Sequence, residues 1–229
     1  MPDTIHKLDW DETGQPRSVA FGDQFYSRED GRAECAHVFI AGNSLPDRWK
    51  GRERFQIAEL GFGTGLNLVE TWRQWIAFRE PGQHLAFTSF EAFPMTADDM
   101  ARALAKWPEL AGLAEIFVTA WRGTGPDKAL ELDSQTSLKV ESGQALERVS
   151  SWGESADAWY LDGFSPARNP DMWSAELMQA VFDHTTPGGS FATYAAAGWV
   201  RRNLAAAGFS VERREGFGSK REMLAGVKA

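Results

Sequence analysis

The chain has 229 residues, enough for one α/β domain with a substantial core, and its apolar runs stop well short of the roughly 18 residues that a membrane helix needs. A net charge of −8 excludes a surface coated with basic side chains for non-specific nucleic-acid binding. The lone Cys35 cannot form an internal disulfide, and four scattered histidines give no metal-ligand spacing, so no metal is expected and Cys35 reads as a small core residue.

The first ten residues, Met1 to Trp10, carry no basic region followed by an apolar stretch. No secretory signal and no membrane association are expected, and the cytoplasm is the simplest location. Residues 1–50 read as an N-terminal extension or lid packed on the core, with Cys35 to Ala41 as a helix ending at Gly42-Asn43. Residues 51–229 read as the main domain.

From residue 55 the pattern becomes regular. Phe55 to Leu60 reads as a buried strand, and after a glycine loop Leu66, Val69, Trp72, Trp75 and Ile76 repeat at helical spacing. Leu85 to Glu91 is a second strand. The helix after it starts at Thr96, an N-cap with Asp99 in the first turn. Residues 122–137 read as an insertion. Leu138 to Glu141 with Leu146 to Val149 give a third strand and helix, and Ala158 to Asp162 a fourth strand. A helix over 174–185, a turn at Pro187-Gly188-Gly189 and a strand over Ser190 to Tyr194 follow. The chain ends with a helix over Gly198 to Ala207 and two strands, Phe209 to Glu212 and Glu222 to Val227, joined without room for a helix. Alternating β and α units specify a parallel sheet covered on both faces, closed by an antiparallel hairpin.

The loop Gly61-Phe62-Gly63-Thr64-Gly65 follows a strand and opens a helix, the context in which such a motif carries meaning. A dinucleotide fingerprint would need its third glycine at position 66, which is Leu, and no Gly-Lys-Ser/Thr follows for a phosphate loop. Glu59 places negative charge beside the loop, which suits a cation such as S-adenosylmethionine better than a pyrophosphate. Glu91, at the end of the second strand, is placed to accept hydrogen bonds from ribose hydroxyls. Gln144 stands where adenine would lie, or else is simply a polar residue at a helix start. The alternative for the loop itself is a turn that packs a helix tightly on the sheet.

Open α/β sheets bind ligands beyond the carboxyl ends of their strands, so Asp162 should face the glycine loop. A sulfonium methyl is already activated, and an enzyme mainly needs to hold an acceptor in line with it. A carboxylate suits an amine acceptor, because it accepts an N–H hydrogen bond and favours the positive charge growing on nitrogen. Pro166 and Pro170 stiffen the segment, and Phe164 with Trp173 offer an apolar wall for a flat base. The alternative is that Asp162-Gly163 is only a turn.

These residues resemble the methyltransferase domain of the MnmC/MnmD family. The likeness runs from about Phe21 to Val227. It rests on Val38 to Asn43, Glu59 to Asn67, Ser89-Phe90-Glu91, Leu161 to Trp173, Pro187-Gly188-Gly189, Ala197 to Arg202 and Gly216 to Leu224. It implies a class I S-adenosylmethionine-dependent, Rossmann-like α/β fold with a mostly parallel seven-stranded sheet, an antiparallel C-terminal hairpin and an N-terminal extension. The implied reaction is methylation of 5-aminomethyl-2-thiouridine at the tRNA wobble position, with Asp162 beside the amine. Two positions depart from the family pattern: Gln144 stands where an Asp is usual, and Arg168 where Lys is common, which keeps charge but changes geometry.

The candidate cofactor residues are therefore Glu59, Gly61, Phe62, Gly63, Gly65, Asn67, Glu91 and Gln144. The candidate substrate residues are Phe164, Pro166, Arg168, Asn169, Arg201, Arg202, Lys220 and Arg221. The last four fall in residues 201–229, which carry seven Lys or Arg against three Glu and offer a local basic face for the anticodon loop of tRNA. Many relatives are fused to an FAD-dependent oxidase, a candidate partner. Two competing readings remain at this level: a small-molecule amine methyl- or aminopropyltransferase, and a silent S-adenosylmethionine-binding module that partners an oxidase.

Overall fold

The structure, a computed structural model, describes residues 7–229. Residues 1–6 of the stretch read for a secretory signal lie outside the described residues. Strands β1 (Leu8–Trp10) and β2 (Pro16–Ser18) form a small antiparallel ribbon. Helix α1 (Gly31–Cys35) runs on through a π turn at Ala36–Ile40 and a 3-10 turn at Ala41–Asn43. It starts four residues before the expected helix, because the Asp30 carboxylate caps the Arg32 and Ala33 N–H groups.

Strand β3 (Arg54–Leu60), helix α2 (Leu66–Phe78), strand β4 (His84–Glu91), helix α3 (Ala97–Leu104) and helix α4 (Ala111–Thr124) follow. Thr96 caps α3 as its sequence implies, accepting from the Asp99 N–H at 3.1 Å. Then come β5 (Ala129–Asp133), β6 (Thr136–Ser142), α5 (Ala145–Ser150) and β7 (Ala156–Leu161). The chain closes with α6 (Ala175–Asp183), β8 (Thr185–Thr193), α7 (Gly198–Ala207), β9 (Ser210–Glu215) and β10 (Glu222–Val227).

Eight strands form the main sheet in the order β5-β6-β4-β3-β7-β8-β10-β9. The five from β6 to β8 run parallel, and β10 pairs antiparallel with both β8 and β9. The α/β class with its antiparallel C-terminal hairpin is thus observed, with one strand more than expected. That strand is β5, inside the stretch read as an insertion. There Leu130 and Leu132 are buried while Ala129 and Glu131 are exposed, the alternation of an edge strand with one wet face. Pro187-Gly188-Gly189 is not a free turn but lies within β8, where the register against β7 slips between Ala156 and Ala158.

Side-chain alternation along the central strands feeds two cores. On β7, Ala158 and Tyr160 face a layer with Phe39, Trp72, Phe87 and Phe117, whereas Trp159 and Leu161 face Phe90, Trp173, Met178 and Leu204. Residues 35–49 contribute directly to the first layer, since Val38, Phe39, Ile40 and Trp49 are buried there. Asn43 fixes this segment to the sheet, donating to the Trp159 carbonyl at 3.2 Å and accepting from the Ser190 hydroxyl at 2.6 Å.

Gly42 lies at the tightest point of that junction. A Cβ there would stand 2.7 Å from the Ala192 Cβ and 2.9 Å from the Met223 Cε. Overpacking of this kind costs about 1–3 kcal/mol, and each kcal/mol lowers the melting temperature by roughly 2–4 °C at this size. Gly42→Ala is therefore expected to melt several degrees below wild type in a thermal scan followed by circular dichroism.

Candidate active site

The chain enters the sheet at β3, goes outward to β4 and β6, and then crosses back to β7 on the other side of β3. This reversal opens a crevice at the carboxyl ends of β3 and β7, where ligands of doubly wound sheets bind. A cavity of about 860 Å³ occupies that place. Gly61, at the end of β3, has φ +82°, and a Cβ on it would stand 3.3 Å from the Gly163 backbone. The two motifs singled out in the sequence therefore meet in space. Gly63 (φ +53°) packs under Phe25. Gly65 does not line the cavity: its left-handed backbone caps α2, and a Cβ would strike Phe117 at 2.8 Å.

Four polar side chains link the glycine loop to β7. Asn67, in the first turn of α2, donates to Glu59 Oε1 at 2.9 Å and to Asp162 Oδ2 at 2.8 Å. Carboxylates on both sides fix which end of the Asn67 amide is the NH₂. Glu59 is fully buried and receives a second bond from the Ser89 hydroxyl at 2.7 Å. Glu59, expected beside a cationic ligand, is not among the residues that line the cavity and holds Asn67. Burial pushes its carboxyl well above the ordinary range, against the pull of Ser89 and Asn67.

Asp162 does face the cavity. Its Oδ1 accepts from the Gly163 N–H at 2.8 Å. Desolvation raises its carboxyl from 3.8 to about 7; the Gly163 and Asn67 hydrogen bonds pull the other way, Glu34 adds to the rise and Lys220 opposes it. Glu91 lies across the glycine loop, accepting from the Gly63 N–H at 3.1 Å and the Phe93 N–H at 2.8 Å. Burial raises the Glu91 carboxyl against those backbone bonds.

The aromatic wall differs from the expected one. Phe164 lines the cavity, stacked on Phe21 with ring centroids 4.7 Å apart and edge-on to Phe25 at 5.1 Å. Trp173 is fully buried in the second core, with its indole N–H on the Phe164 carbonyl. Phe62, Gln144 and Asn169 line the cavity, whereas Pro166 and Arg168 do not. Arg168 instead donates to the Phe21 carbonyl at 3.2 Å, and the Ser165 N–H reaches Asp23 at 2.9 Å. These bonds fasten the Asp162 segment to the N-terminal segment.

Of the four basic residues expected to converge, Lys220 alone lines the cavity. Arg201 and Arg202 are exposed on α7, and with Arg221 they lie outside the cavity lining. Lys220 points inward, 2.7 Å from Glu34 Oε1 and 3.7 Å from the centre of the Tyr194 ring. Among the described residues no group of His, Cys, Asp and Glu is placed to hold a metal ion. No helix among them is long and apolar enough to cross a membrane.

A positive-φ glycine loop that brings bare backbone to the cavity, an acid at the end of β4 and an aromatic wall fit a nucleoside-bearing cofactor. The sequence model of one family, described as S-adenosyl-L-methionine-dependent methyltransferase, matches residues 108–229. The chain belongs to this family. Its methyl donor is accordingly S-adenosyl-L-methionine. The expected likeness to MnmC proteins is also shown. The chain is 44% identical to the tRNA 5-methylaminomethyl-2-thiouridine biosynthesis bifunctional protein MnmC of Caulobacter sp. (strain K31), over 98% of this chain and 38% of that protein. It is 43% identical to the protein of the same name from Pseudomonas aeruginosa, over 99% of this chain and 36% of that protein. The chain thus spans about a third of the length of these curated relatives. The crystal structure of MNMC2 from Aquifex aeolicus shares the fold, with a TM-score of 0.77 at 23% identity over 98% of this chain and 71% of that one.

Within this methyltransferase, Glu34, Tyr194, Phe21 and Phe25 also line the cavity, yet the sequence alone did not single them out. Tyr194 ends a predicted strand, so the rule that ligands lie beyond carboxyl ends points to it. Glu34 carries no such signal.

A carboxyl raised to about 7 takes up a proton on folding between its ordinary range and pH 7, so its ionisation costs stability as pH rises through that window. Asp162→Asn removes the cost. Its NH₂ must face Asn67 or the Gly163 N–H, so a bond is lost at every pH, but the variant's melting temperature should fall less than that of wild type between pH 4 and pH 8.

Proposed function

We propose that this methyltransferase N-methylates the exocyclic amine of 5-aminomethyl-2-thiouridine at the tRNA wobble position, completing 5-methylaminomethyl-2-thiouridine. The observation that carries the reading is Asp162: an ionisable carboxylate near neutrality, aimed into the cofactor cavity and held by Asn67 and Gly163. The names of the relatives supply the substrate class. When bound, S-adenosyl-L-methionine supplies an activated methyl group. Gly61, Phe62, Gly63, Glu91 and Gln144 are the residues proposed to hold it, with Asn67 acting on Asp162 instead.

Asp162 accepts an N–H of the incoming amine, which aims the nitrogen lone pair into the cavity, and it takes the proton that nitrogen sheds on gaining a fourth bond. Phe164, with Phe21 and Phe25 behind it, walls a flat base, and Asn169 edges the same space. The names of the relatives describe bifunctional proteins, so the proposed partner is an FAD-dependent oxidase, fused or separate, that makes the aminomethyl precursor. The proposed location is the cytoplasm, where tRNA is found.

The exposed Arg201 and Arg202 on α7 are proposed to meet RNA phosphates. Replacing both with Ala should weaken tRNA binding and flatten the dependence of log affinity on log salt by about two. An unchanged slope in a filter-binding titration would move the RNA surface elsewhere.

The direct test offers labelled methyl donor with tRNA bearing 5-aminomethyl-2-thiouridine, and with polyamines for comparison. Transfer should be confined to the tRNA, and Asp162→Ala should lower kcat about 10²–10⁴-fold. Transfer to polyamines alone would favour a small-molecule enzyme, and cofactor binding without any transfer would favour a silent module.

A further inference from the structure

One charged pair in the cavity has no part in the reading above. Glu34 is buried on α1, accepting from the Ser27 N–H at 3.1 Å through Oε2 and from Lys220 at 2.7 Å through Oε1. Lys220 is carried by the connection between β9 and β10, from the opposite side of the cavity. Its ammonium also sits on the Tyr194 ring, and the Tyr194 hydroxyl donates to the carbonyl of Gly163, the residue whose N–H holds Asp162. Three separate elements thus converge on the Asp162 turn. An isolated surface ion pair contributes little, but one that is half enclosed in a cavity acts on nearby groups through a lower dielectric.

We propose that Lys220, held in place by Glu34 and Tyr194, is a positioning residue that keeps Asp162 ionised and ready to receive the acceptor's proton. The proposal rests on the reading of Asp162 as proton acceptor. The charged and titratable groups around Asp162 come from every neighbouring element. They are Glu34 and Cys35 on α1, Glu59 on β3, Glu91 on β4, Tyr194 after β8, Asp23 before α1, and Lys220. Arg28, Glu29 and Asp171 line the same cavity; Glu34 disfavours a charge on Asp162, and Lys220 favours one by less than Glu34 opposes it. Fixed by Glu34 and the Tyr194 ring, Lys220 opposes part of that effect.

The two partners carry opposite signs, so their substitutions separate this role from mere support. Lys220→Met, or Lys220→Gln should the first fold poorly, is expected to raise the titration midpoint of the Asp162 carboxyl by about one pH unit. The acidic limb of kcat/KM moves up with it. Glu34→Gln, with Lys220 still seated on the Tyr194 ring, moves both down, and Lys220→Arg keeps both near wild type. The carboxyl is read by ¹³C NMR of aspartate-labelled protein, with Asp162→Asn assigning the signal, which needs no turnover. A purely structural pair would lower activity and leave both midpoints in place, and that result overturns the proposal. Midpoints that move in a protein inactive on the modified tRNA would uphold the charge coupling and overturn the substrate reading.

Discussion

One side-chain amide joins the two halves of the site. Asn67 projects from the first turn of α2, which the glycine loop can start only because Gly65 takes a left-handed backbone. From there its NH₂ spans the gap between β3 and β7 and satisfies Glu59 on one side and Asp162 on the other. Two carboxylates in one water-poor crevice repel each other and lose solvation, and unpaired polar groups there are costly. A donor with two hydrogens is the smallest group that answers both. Ser89 and the Gly163 N–H complete the set, so each acid has two donors and a defined orientation.

That arrangement separates support from chemistry. Glu59 is sealed under the sheet end, and burial raises its proton affinity. Asp162 is coupled to the same bridge but opens into the cavity, with its carboxyl raised to about 7. The same crevice carries the backbone of the glycine loop, with Glu91 lying across Gly63. The glycine loop and Asp162 are thus neighbours because β3 and β7 are neighbours, a consequence of where the strand order reverses.

The N-terminal segment belongs to the site as much as the sheet does. Phe21 and Phe25 build the aromatic wall with Phe164, Glu34 holds Lys220, and Arg168 and Asp23 bind the two sides together. Arg168 shows why a basic residue in a functional segment is a weak signal by itself. Its guanidinium donates to a backbone carbonyl, and nothing in its local sequence distinguishes that from a ligand contact.

The sequence by itself determined the parallel sheet, the glycine loop and the carboxylate at a strand end. Each is written in local periodicity or spacing: Leu66, Val69 and Trp72 mark one helical face, and Gly61, Gly63 and Gly65 exclude other nucleotide loops. The stretch after Thr124 was opaque because Gly125 and Pro126 precede β5 and hide its alternation. Only the tertiary structure decided which way side chains point on strands buried on both faces. Glu59 is the case in point, since Ile57, Ala58 and Leu60 around it are all fully buried and alternation gives no side for it. Likewise Lys220 and Arg221 are adjacent in the chain, yet one enters the cavity and the other faces solvent, because the partner that draws Lys220 inward, Glu34, lies 186 residues away.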